Sequence, residues 1–462
     1  MIDWIPDALE SGKPRYQAIA DAIAEDIRSG RLGDGKRLPP QRRLAAALGI
    51  DFTTVSRAYA EAQARGLVES HVGRGTFVKN HVITDRPDPS RAGEADLLMN
   101  MPPEPDDPGL RRRMQEGLGY VSANLIDLLR YQSATGSERD RVAASSWLSM
   151  RGMVPALERV AVTPGAHATM AAILSINTQP GDTVLCEAIT YPGFRSVAGR
   201  FGLRLVGIEM DEDGILPDAL DAAIREHGPK MLYLNPTLQN PTTLTMPEAR
   251  RLDVAAVLQR HQLMLIEDDA YGFIPAKGPA PIALSAPELT WHIGGLAKCI
   301  GAGLRLAFTI APTPRCAYHL AQAIRALSVM PSPLSMALVT QWIEDGTADG
   351  IRRFIRYESA ARQAIAAEVL TSVQYRSADN AFNLWLELPE GLNRAEVVAR
   401  MARRQIGVMP SDAFTVLGSP GEQLRVSLGG PASRDSLREN LHFLANALSL
   451  PIASWDRAID PA

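Results

Sequence analysis

The sequence has few cysteines and no long hydrophobic run, and both absences exclude classes of protein. Its 462 residues include three cysteines, Cys186, Cys299 and Cys316, an odd number that builds no disulfide framework. We therefore expect a protein of a reducing compartment, the cytoplasm. No run of about 18 apolar residues is present, and residues 1–10 carry acids rather than the apolar core of a secretory signal. The sequence predicts neither a membrane span nor a secretion signal.

The length and the distribution of charge indicate more than one domain. A chain of 462 residues exceeds one ordinary compact core. The net charge of −4 conceals an asymmetry, because residues 11–79 contain 12 basic and 7 acidic side chains, whereas residues 80–462 contain 36 basic and 42 acidic ones. A basic head on an acidic body is typical of a nucleic-acid-binding module joined to a second domain.

Residues 14–79 have the pattern of three helices followed by a β-hairpin. Apolar residues recur at helical spacing in the first segment, and Asp51 can cap the third helix. Small hydroxyls and an arginine on the outward face of that helix suit the major groove of DNA, and a glycine-flanked hairpin tip suits close approach to phosphate. The alternative is a helical oligomerisation domain with solvated basic residues. The residues concerned are Thr53, Thr54, Ser56 and Arg57 on the helix and Gly73, Arg74 and Gly75 at the tip.

This head resembles the winged helix-turn-helix domain of the GntR family. The resemblance runs through PRYQAIADAIAEDIRSGRL, LPPQRRLAAALGI, TTVSRAYAEAQARGLV and GRGTFV, in that order. One departure is Phe52, which stands where many members place an arginine before the Thr-Thr pair; Arg57 is expected to substitute in part. The resemblance implies that DNA is contacted by Arg42, Thr53, Thr54, Gly73 and Arg74.

The remainder of the chain predicts a linker and an α/β domain. Residues 81–96 are rich in Pro, Asp and Gly and lack periodicity, so we predict that they join a head at 11–80 to a domain at 97–455. Alternation of apolar runs with helical stretches in that domain is typical of a mainly parallel sheet. Strands are predicted at residues 159–163, 183–187, 231–234, 263–267 and 304–310.

Two early motifs of this domain have the chemistry of a cofactor site. Gly165, Ala166 and His167 follow a predicted strand and open a helix, where backbone N–H groups bind phosphate. Tyr191, in EAITYPGF, can stack on an aromatic cofactor. Taken singly, the first motif is more often a plain strand–helix turn and the second an ordinary loop tyrosine.

Two later motifs supply an acid and an amine. Asp268 ends a predicted buried strand, and its carboxylate can keep a pyridine nitrogen protonated, while Asn240 and Tyr271 can bond a phenolate oxygen. Lys298 can form a Schiff base with an aldehyde, and Arg305 can pair with a phosphate. Singly, these are more often a solvated acidic turn and a surface amine. The order of all four motifs favours a pyridoxal 5′-phosphate (PLP) site.

From about residue 97 to 450 the chain resembles the fold-type I PLP aminotransferases, with a small α+β subdomain at the end, and the order of the two domains resembles the MocR subgroup of the GntR family. The resemblance implies that Lys298 forms the internal aldimine and that Asp268 holds the pyridine nitrogen. It implies Tyr191 as the ring stacker, and Asn240 and Tyr271 at the phenolate oxygen. The remaining implied residues are Gly165, Ala166, His167 and Arg305 for phosphate, Arg425 of LRVSLGG for the ligand α-carboxylate, and Tyr131 of LRYQSATG for the phosphate of the neighbouring subunit of a homodimer.

Three departures from the family pattern bear on tight PLP retention and amino-acid specificity more than on the fold. Ala297 stands where a phosphate-binding hydroxyl is common, Thr243 stands where glycine usually follows Asn-Pro-Thr, and residues 379–382 replace a glycine-rich stretch.

We therefore expect a cytoplasmic, homodimeric transcription regulator. It binds operator DNA with repeated half-sites and senses an amino compound, or PLP itself, through Schiff-base chemistry at Lys298. Slow transamination is expected at most, and no metal site is predicted. The alternatives are a working aminotransferase with an accessory head and a PLP-free scaffold.

Overall fold

A computed structural model of the chain describes residues 4–6, 13–29, 31–33, 35–71, 74–79, 98–402, 404 and 406–449. Its Cα positions form two compact units, Met1–Glu94 and Ala95–Ala462. Gly73 and the predicted linker, 81–96, lie outside the described residues, and so do residues 450–455 of the predicted second domain. Among the described residues, no helix is long and apolar enough to cross a membrane.

The first unit contains three helices and a two-stranded antiparallel sheet. The helices are α1 (Arg15–Arg28), α2 (Gln41–Leu48) and α3 (Phe52–Ala64), and the strands are β1 (Val68–His71) and β2 (Gly75–Val78). Asp51 caps α3, as predicted, by accepting a 2.7 Å hydrogen bond from the backbone N–H of Thr53. The core of the unit is formed by the apolar faces of the helices and includes Ile19, Ile23, Leu44, Val55, Ala58, Tyr59 and Ala62.

The second unit contains thirteen further helices among the described residues. They are α4 (Pro108–Ala123), α5 (Leu125–Leu128), α6 (Glu138–Ser149), α7 (Ala166–Asn177), α8 (Pro192–Arg200), α9 (Pro217–His227), α10 (Glu248–His261), α11 (Ile282–Ser285), α12 (Pro314–Ser328), α13 (Pro333–Glu344), α14 (Thr347–Val369), α15 (Arg394–Met401) and α16 (Arg434–Ser449).

Seven strands of the described chain form its central sheet, in the order β3-β11-β10-β9-β8-β4-β5. Strand β11 is antiparallel to both of its neighbours and the other pairs in the register are parallel, so the predicted mainly parallel sheet is confirmed. The strands are β3 (Val160–Thr163), β4 (Thr183–Glu187), β5 (Arg204–Ile208), β8 (Met231–Leu234), β9 (Met264–Asp268), β10 (Thr290–Gly295) and β11 (Ala307–Ile310). A separate short hairpin is formed by β6 (Met210–Asp211) and β7 (Gly214–Ile215).

Both faces of the sheet are covered by helices. Successive strand residues point to opposite faces, and the strands carry apolar side chains on both, so each face packs against helices. In β9, Leu265 packs in the cluster that includes Val254 of α10, whereas Ile266 packs in the cluster that includes Met170 of α7. The strand predicted at 304–310 begins only at Ala307, because Arg305 has a left-handed backbone, with φ 51°, that a strand does not accommodate.

A smaller antiparallel sheet follows, in the order β12-β13-β15-β14. Its strands are β12 (Tyr375–Arg376), β13 (Asn383–Glu387), β14 (Val408–Pro410) and β15 (Gln423–Ser427). One apolar cluster joins this sheet to α16 and the end of α14, which confirms the predicted small α+β subdomain.

Candidate cofactor site and nucleic-acid interface

The predicted cofactor residues converge because most of them follow strands that run in one direction. The carboxyl ends of parallel strands share one edge of a sheet, where ligands of α/β folds usually bind. A cavity of about 220 Å³ lies there. Nine predicted residues line it: Gly165, Ala166, His167, Tyr191, Asn240, Asp268, Tyr271, Lys298 and Arg305.

Lys298 lies in the helical turn Ala297–Gly301, directly beyond β10. Its Nζ donates a 2.5 Å hydrogen bond to the backbone carbonyl of Asn100. Burial, together with the positive charges of Arg425 and Arg305, lowers the pKa of the Lys298 amine to about 8, and Asp268 opposes this shift. The unprotonated amine, which is the form that attacks an aldehyde, is therefore far more populated near neutral pH than for an ordinary lysine.

Asp268 ends β9 in a fully enclosed position, 4% exposed. Its Oδ2 accepts a 2.9 Å hydrogen bond from the Tyr233 hydroxyl, whereas its Oδ1 has no hydrogen-bond partner among the described residues. Burial raises the pKa of Asp268 to about 6, and the Tyr233 hydrogen bond opposes the rise. A buried carboxylate oxygen without a donor, in the wall of a cavity, fits a ligand that brings its own N–H, such as a protonated pyridine.

One corner of the cavity has the features of an anion site. Helix α7 begins at Ala166, and its first backbone N–H groups have no partner within the helix. Gly165 precedes it with φ 87°, and a Cβ at Gly165 would lie 3.5 Å from Nη2 of Arg305. The chain therefore brings a helix N-terminus and a guanidinium together, which suits a phosphate.

Tyr191 and His167 form one wall of the same corner. The Tyr191 hydroxyl and Nε2 of His167 lie 2.9 Å apart, and their ring centroids are 5.6 Å apart. Burial and the charges of Arg305 and Lys298 lower the pKa of His167, which favours its neutral form. A neutral imidazole bonded to a phenol leaves the aromatic face of Tyr191 as a surface for stacking.

Arg425 lies behind the cavity rather than in its lining. It is on β15, 2% exposed, and its Nη1 donates a 3.2 Å hydrogen bond to Oδ1 of Asn240. Its Nη2 donates to the backbone carbonyl of Leu98. The small sheet thus contributes a guanidinium that reaches the ligand region through Asn240.

Several residues of the site escaped the sequence analysis. Asn100 donates through Nδ2 to the Tyr271 hydroxyl at 3.1 Å and to Asn383 at 3.0 Å. Asn235 donates through Nδ2 to the Asp268 backbone carbonyl, at 2.7 Å. Glu187, at the end of β4, is buried, and burial raises its pKa to about 8. Asn235, which follows the predicted strand 231–234, and Glu187, which ends the predicted strand 183–187, had a recognisable signal in the sequence, whereas Asn100 had none.

Tyr131 is the predicted cofactor residue that the structure does not bring to this cavity. Its side chain is 83% exposed and lies in the loop after α5. Large apolar side chains are exposed beside it in the sequence, notably Leu125, Ile126 at 70% and Leu129 at 65%. Exposure of that extent in consecutive turns is unusual for a surface that faces only water.

The predicted DNA-contacting residues of the head are largely solvent-facing. Thr53 and Arg57 are exposed on α3 and Thr54 is partly exposed, while Arg42 on α2 and Arg74 beside β2 are exposed. The guanidinium of Arg42 lies 5.8 Å from the ring centroid of Phe52. Phe52 thus places its ring against a predicted DNA-contacting arginine. Gly73 lies outside the described residues.

Comparison with known proteins agrees with both units. Residues 15–78 match the model of bacterial regulatory proteins of the gntR family, and residues 126–441 match aminotransferase class I and II. The uncharacterized HTH-type transcriptional regulator YdeF of Bacillus subtilis (strain 168) is 28% identical over 460 residues, with 97% of each chain covered. The probable rhizopine catabolism regulatory protein MocR of Rhizobium meliloti is 27% identical, covering 84% of this chain and 82% of its own.

Among solved structures, LysN, an α-aminoadipate aminotransferase from Thermus thermophilus, superposes with a TM-score of 0.68. It is 24% identical and covers 76% of this chain and 91% of its own, a likeness that establishes the fold.

The chain belongs to the aminotransferase class I and II family. Its domains are those of an HTH-type transcriptional regulator with an aminotransferase-like domain, which confirms the predicted resemblance to the MocR subgroup. PLP is the cofactor of this class, so the cofactor prediction is confirmed for the class.

Proposed function

We propose that this protein is a DNA-binding regulator that senses an amino compound, or PLP itself, by Schiff-base exchange at Lys298. The observation that supports it most is the Asp268 carboxylate oxygen, buried without a donor in the cavity that Lys298 lines. A scaffold that had lost its cofactor would have no use for this oxygen, whose burial is costly when it has no partner.

The nine predicted residues that line the cavity each have a proposed role in holding PLP. Bound PLP would supply an aldehyde for the lysine and a ring that withdraws electrons from the bonds at the α-carbon of the ligand. Lys298 presents the amine, Asp268 accepts the pyridine N–H, and Tyr191 stacks on the ring. Asn240 and Tyr271 bond the phenolate oxygen, and the phosphate is bound by Gly165, Ala166, His167 and Arg305.

Arg425 and Tyr131 extend the proposal to the ligand and to a second subunit. Arg425 binds the carboxylate of the amino compound, displacing part of its present contacts. Tyr131 reaches the phosphate of a partner subunit across the exposed apolar cluster of Leu125, Ile126 and Leu129. A homodimer would carry two DNA-binding heads, suited to repeated half-sites.

For the DNA side, we propose a head at residues 11–80, a linker at 81–96 and a PLP domain at 97–455. The protein acts in the cytoplasm, where bacterial operators are found. The exposed basic residues of the head support an interface with the phosphates and base edges of DNA. The proposed contacts are Arg42, Thr53, Thr54, Arg57, Gly73 and Arg74.

The Lys298 assignment is tested by replacing the amine. Lys298→Ala should abolish the visible absorption of lysine-bound PLP and any borohydride-reducible attachment, because no other amine lines the cavity as described. Lys277→Ala, at an exposed lysine elsewhere on the same unit, is the matched control and should leave the spectrum unchanged. A reducible adduct that persists in Lys298→Ala would place the cofactor lysine elsewhere.

A working aminotransferase is the second candidate. The lowered pKa of Lys298 favours it, because a lysine that shuttles protons between neighbouring atoms works best near neutral pH. The two functions differ in turnover, which keto-acid production from an amino acid measures.

A further inference from the structure

The segment Leu98–Met101, here termed the strap, occupies the ligand side of the cavity. Its backbone carbonyls face two of the three cations of the proposed site, Arg425 and Lys298. The Leu98 carbonyl accepts from Nη2 of Arg425, and the Asn100 carbonyl accepts from Nζ of Lys298 at 2.5 Å. Met99 and Met101 both line the cavity. The strap is therefore a part of the site and not only its neighbour.

The strap is also anchored on its other side. The side chain of Asn100 is 2% exposed and bonds the Tyr271 hydroxyl and Asn383. Just after the strap, the Pro102 carbonyl accepts a 3.1 Å hydrogen bond from the backbone N–H of Gly430. A Cβ added to Gly429 would lie 1.7 Å from the carbonyl oxygen of Met101, so only glycine allows this approach.

The strap and the carboxylate of an amino acid compete for the same guanidinium, that of Arg425. A carboxylate bound to Arg425 needs guanidinium N–H groups, and Nη2 already donates to the Leu98 carbonyl. A carboxylate is the stronger acceptor, because it carries charge and can bind two N–H groups at once. An amine without a carboxylate has no comparable group with which to replace this carbonyl.

We propose that the strap is an internal competitor of the ligand, which the carboxylate of an amino acid displaces from Arg425 and a plain amine does not. This inference rests on the proposed roles of Arg425 and the PLP cavity. On this proposal the carboxylate is the part of the ligand that changes DNA binding. The reason is that it displaces the strap, which is the first described segment after the proposed linker at 81–96. Sensing then requires only a difference in affinity between two states of the strap.

The test compares two probes that differ only in the carboxylate. N-(5′-phosphopyridoxyl)-L-alanine and N-(5′-phosphopyridoxyl)ethylamine are added to full-length protein from which PLP has been removed. Hydroxyl-radical footprinting reports the exposure of Met101, which is partly buried; Met170, fully buried in the core, is the internal control. We expect the alanine conjugate to raise labelling of Met101 severalfold and the ethylamine conjugate to leave it unchanged.

A variant tests the competition by affinity. Gly429→Ala pushes the strap away without replacing any proposed ligand-binding residue, so it should tighten binding of the alanine conjugate by about tenfold, the value of one charged hydrogen bond. Binding of the ethylamine conjugate should change less than about twofold. Gly199→Ala, at a helical glycine with open space around its Cβ, is the matched control.

The outcomes separate the two proposals. If both conjugates bind and Met101 labelling stays the same with each, the strap proposal is wrong and the PLP site stands. If neither conjugate binds the unmodified chain, the PLP site is wrong and the strap proposal falls with it.

Discussion

At the scale of the residue, Tyr233 is the neighbour that most favours the ionised carboxylate of Asp268. Burial raises its pKa to about 6, and the Tyr233 hydroxyl opposes the rise by donating a hydrogen bond to Oδ2. The ring of Tyr233 is in turn fixed by Phe194, with centroids 3.8 Å apart and planes 7° apart. Tyr233 is therefore a positioning residue that keeps Asp268 ionised at neutral pH.

Tyr233→Phe should weaken PLP binding by about tenfold, because it removes one hydrogen bond to a charged group and retains the stacked ring. The pKa of Asp268 should rise above its present value of about 6. Only the carboxylate form of Asp268 holds a pyridine N–H. As the pH is lowered, the variant should therefore lose PLP at a higher pH than the unmodified protein does. Absorbance titrations with PLP from acidic to neutral pH measure both effects. Tyr375→Phe, in the small sheet, is the control; an unchanged acid limit in Tyr233→Phe would contradict the assignment.

The sequence predicted the site residues that belong to local motifs and missed those that come from distant parts of the chain. Asp268 was found because it directly follows a predicted strand, and Lys298 because it has its expected place in a motif order that makes chemical sense. Asn100 lies 198 residues from Lys298 along the chain and has no periodic or motif signal. Tyr233 sits inside a fully buried strand, where its hydroxyl cannot be distinguished by pattern from an ordinary core aromatic.

At the scale of the element, the hydrophobic pattern was sufficient for most of the predicted strands and failed where backbone conformation intervened, while β5 and β10 of the central sheet were not among the predicted ranges. Strands β4 and β8 have the predicted bounds, and β9 is displaced by one residue. Strand β11 starts late because of the left-handed conformation of Arg305. That same conformation brings Arg305 to the phosphate corner, so the failure of the strand prediction coincides with the proposed site.

Helix α2 and the hairpin tip give the element-scale prediction. Arg42→Ala and Arg74→Ala should each weaken operator binding and lower the slope of log affinity against log salt by about one, because each removes one phosphate contact. Gel shifts over a salt series measure this. Arg65→Ala removes the same charge from an arginine already paired with Asp21 and Glu61, and should leave the slope unchanged. Equal losses in all three variants would mean that net charge alone drives binding.

At the scale of the whole molecule, the exposed apolar side chains near α5 predict a dimer. Ile126→Glu places a charge where a side chain 70% exposed in the single chain would be buried against a second copy. We expect the variant to sediment as a monomer and to bind a two-half-site operator about 100-fold more weakly, through lost avidity. Leu252→Glu, at a 51% exposed leucine on α10, should sediment as the unmodified protein does. If the unmodified, PLP-loaded chain sediments as a stable monomer, the dimer prediction is wrong.

The last prediction separates sensor from enzyme. Schiff-base exchange requires Lys298 and Asp268, which share the cavity, but repeated transamination also requires firm retention of PLP and a ligand held in register. Ala297 supplies no hydroxyl to the cavity it lines, and the strap competes for Arg425. We therefore expect amino acids to change the PLP spectrum and DNA binding, with keto-acid production slower than about 1 per second under multiple turnover. Ala297→Ser, which restores the hydroxyl, should slow the loss of PLP, while Lys298→Ala should abolish the spectral response. Rapid, saturable turnover of an ordinary amino acid by the unmodified protein would establish the aminotransferase, because a sensor needs an occupied state that lasts long enough to shift the equilibrium of the whole chain.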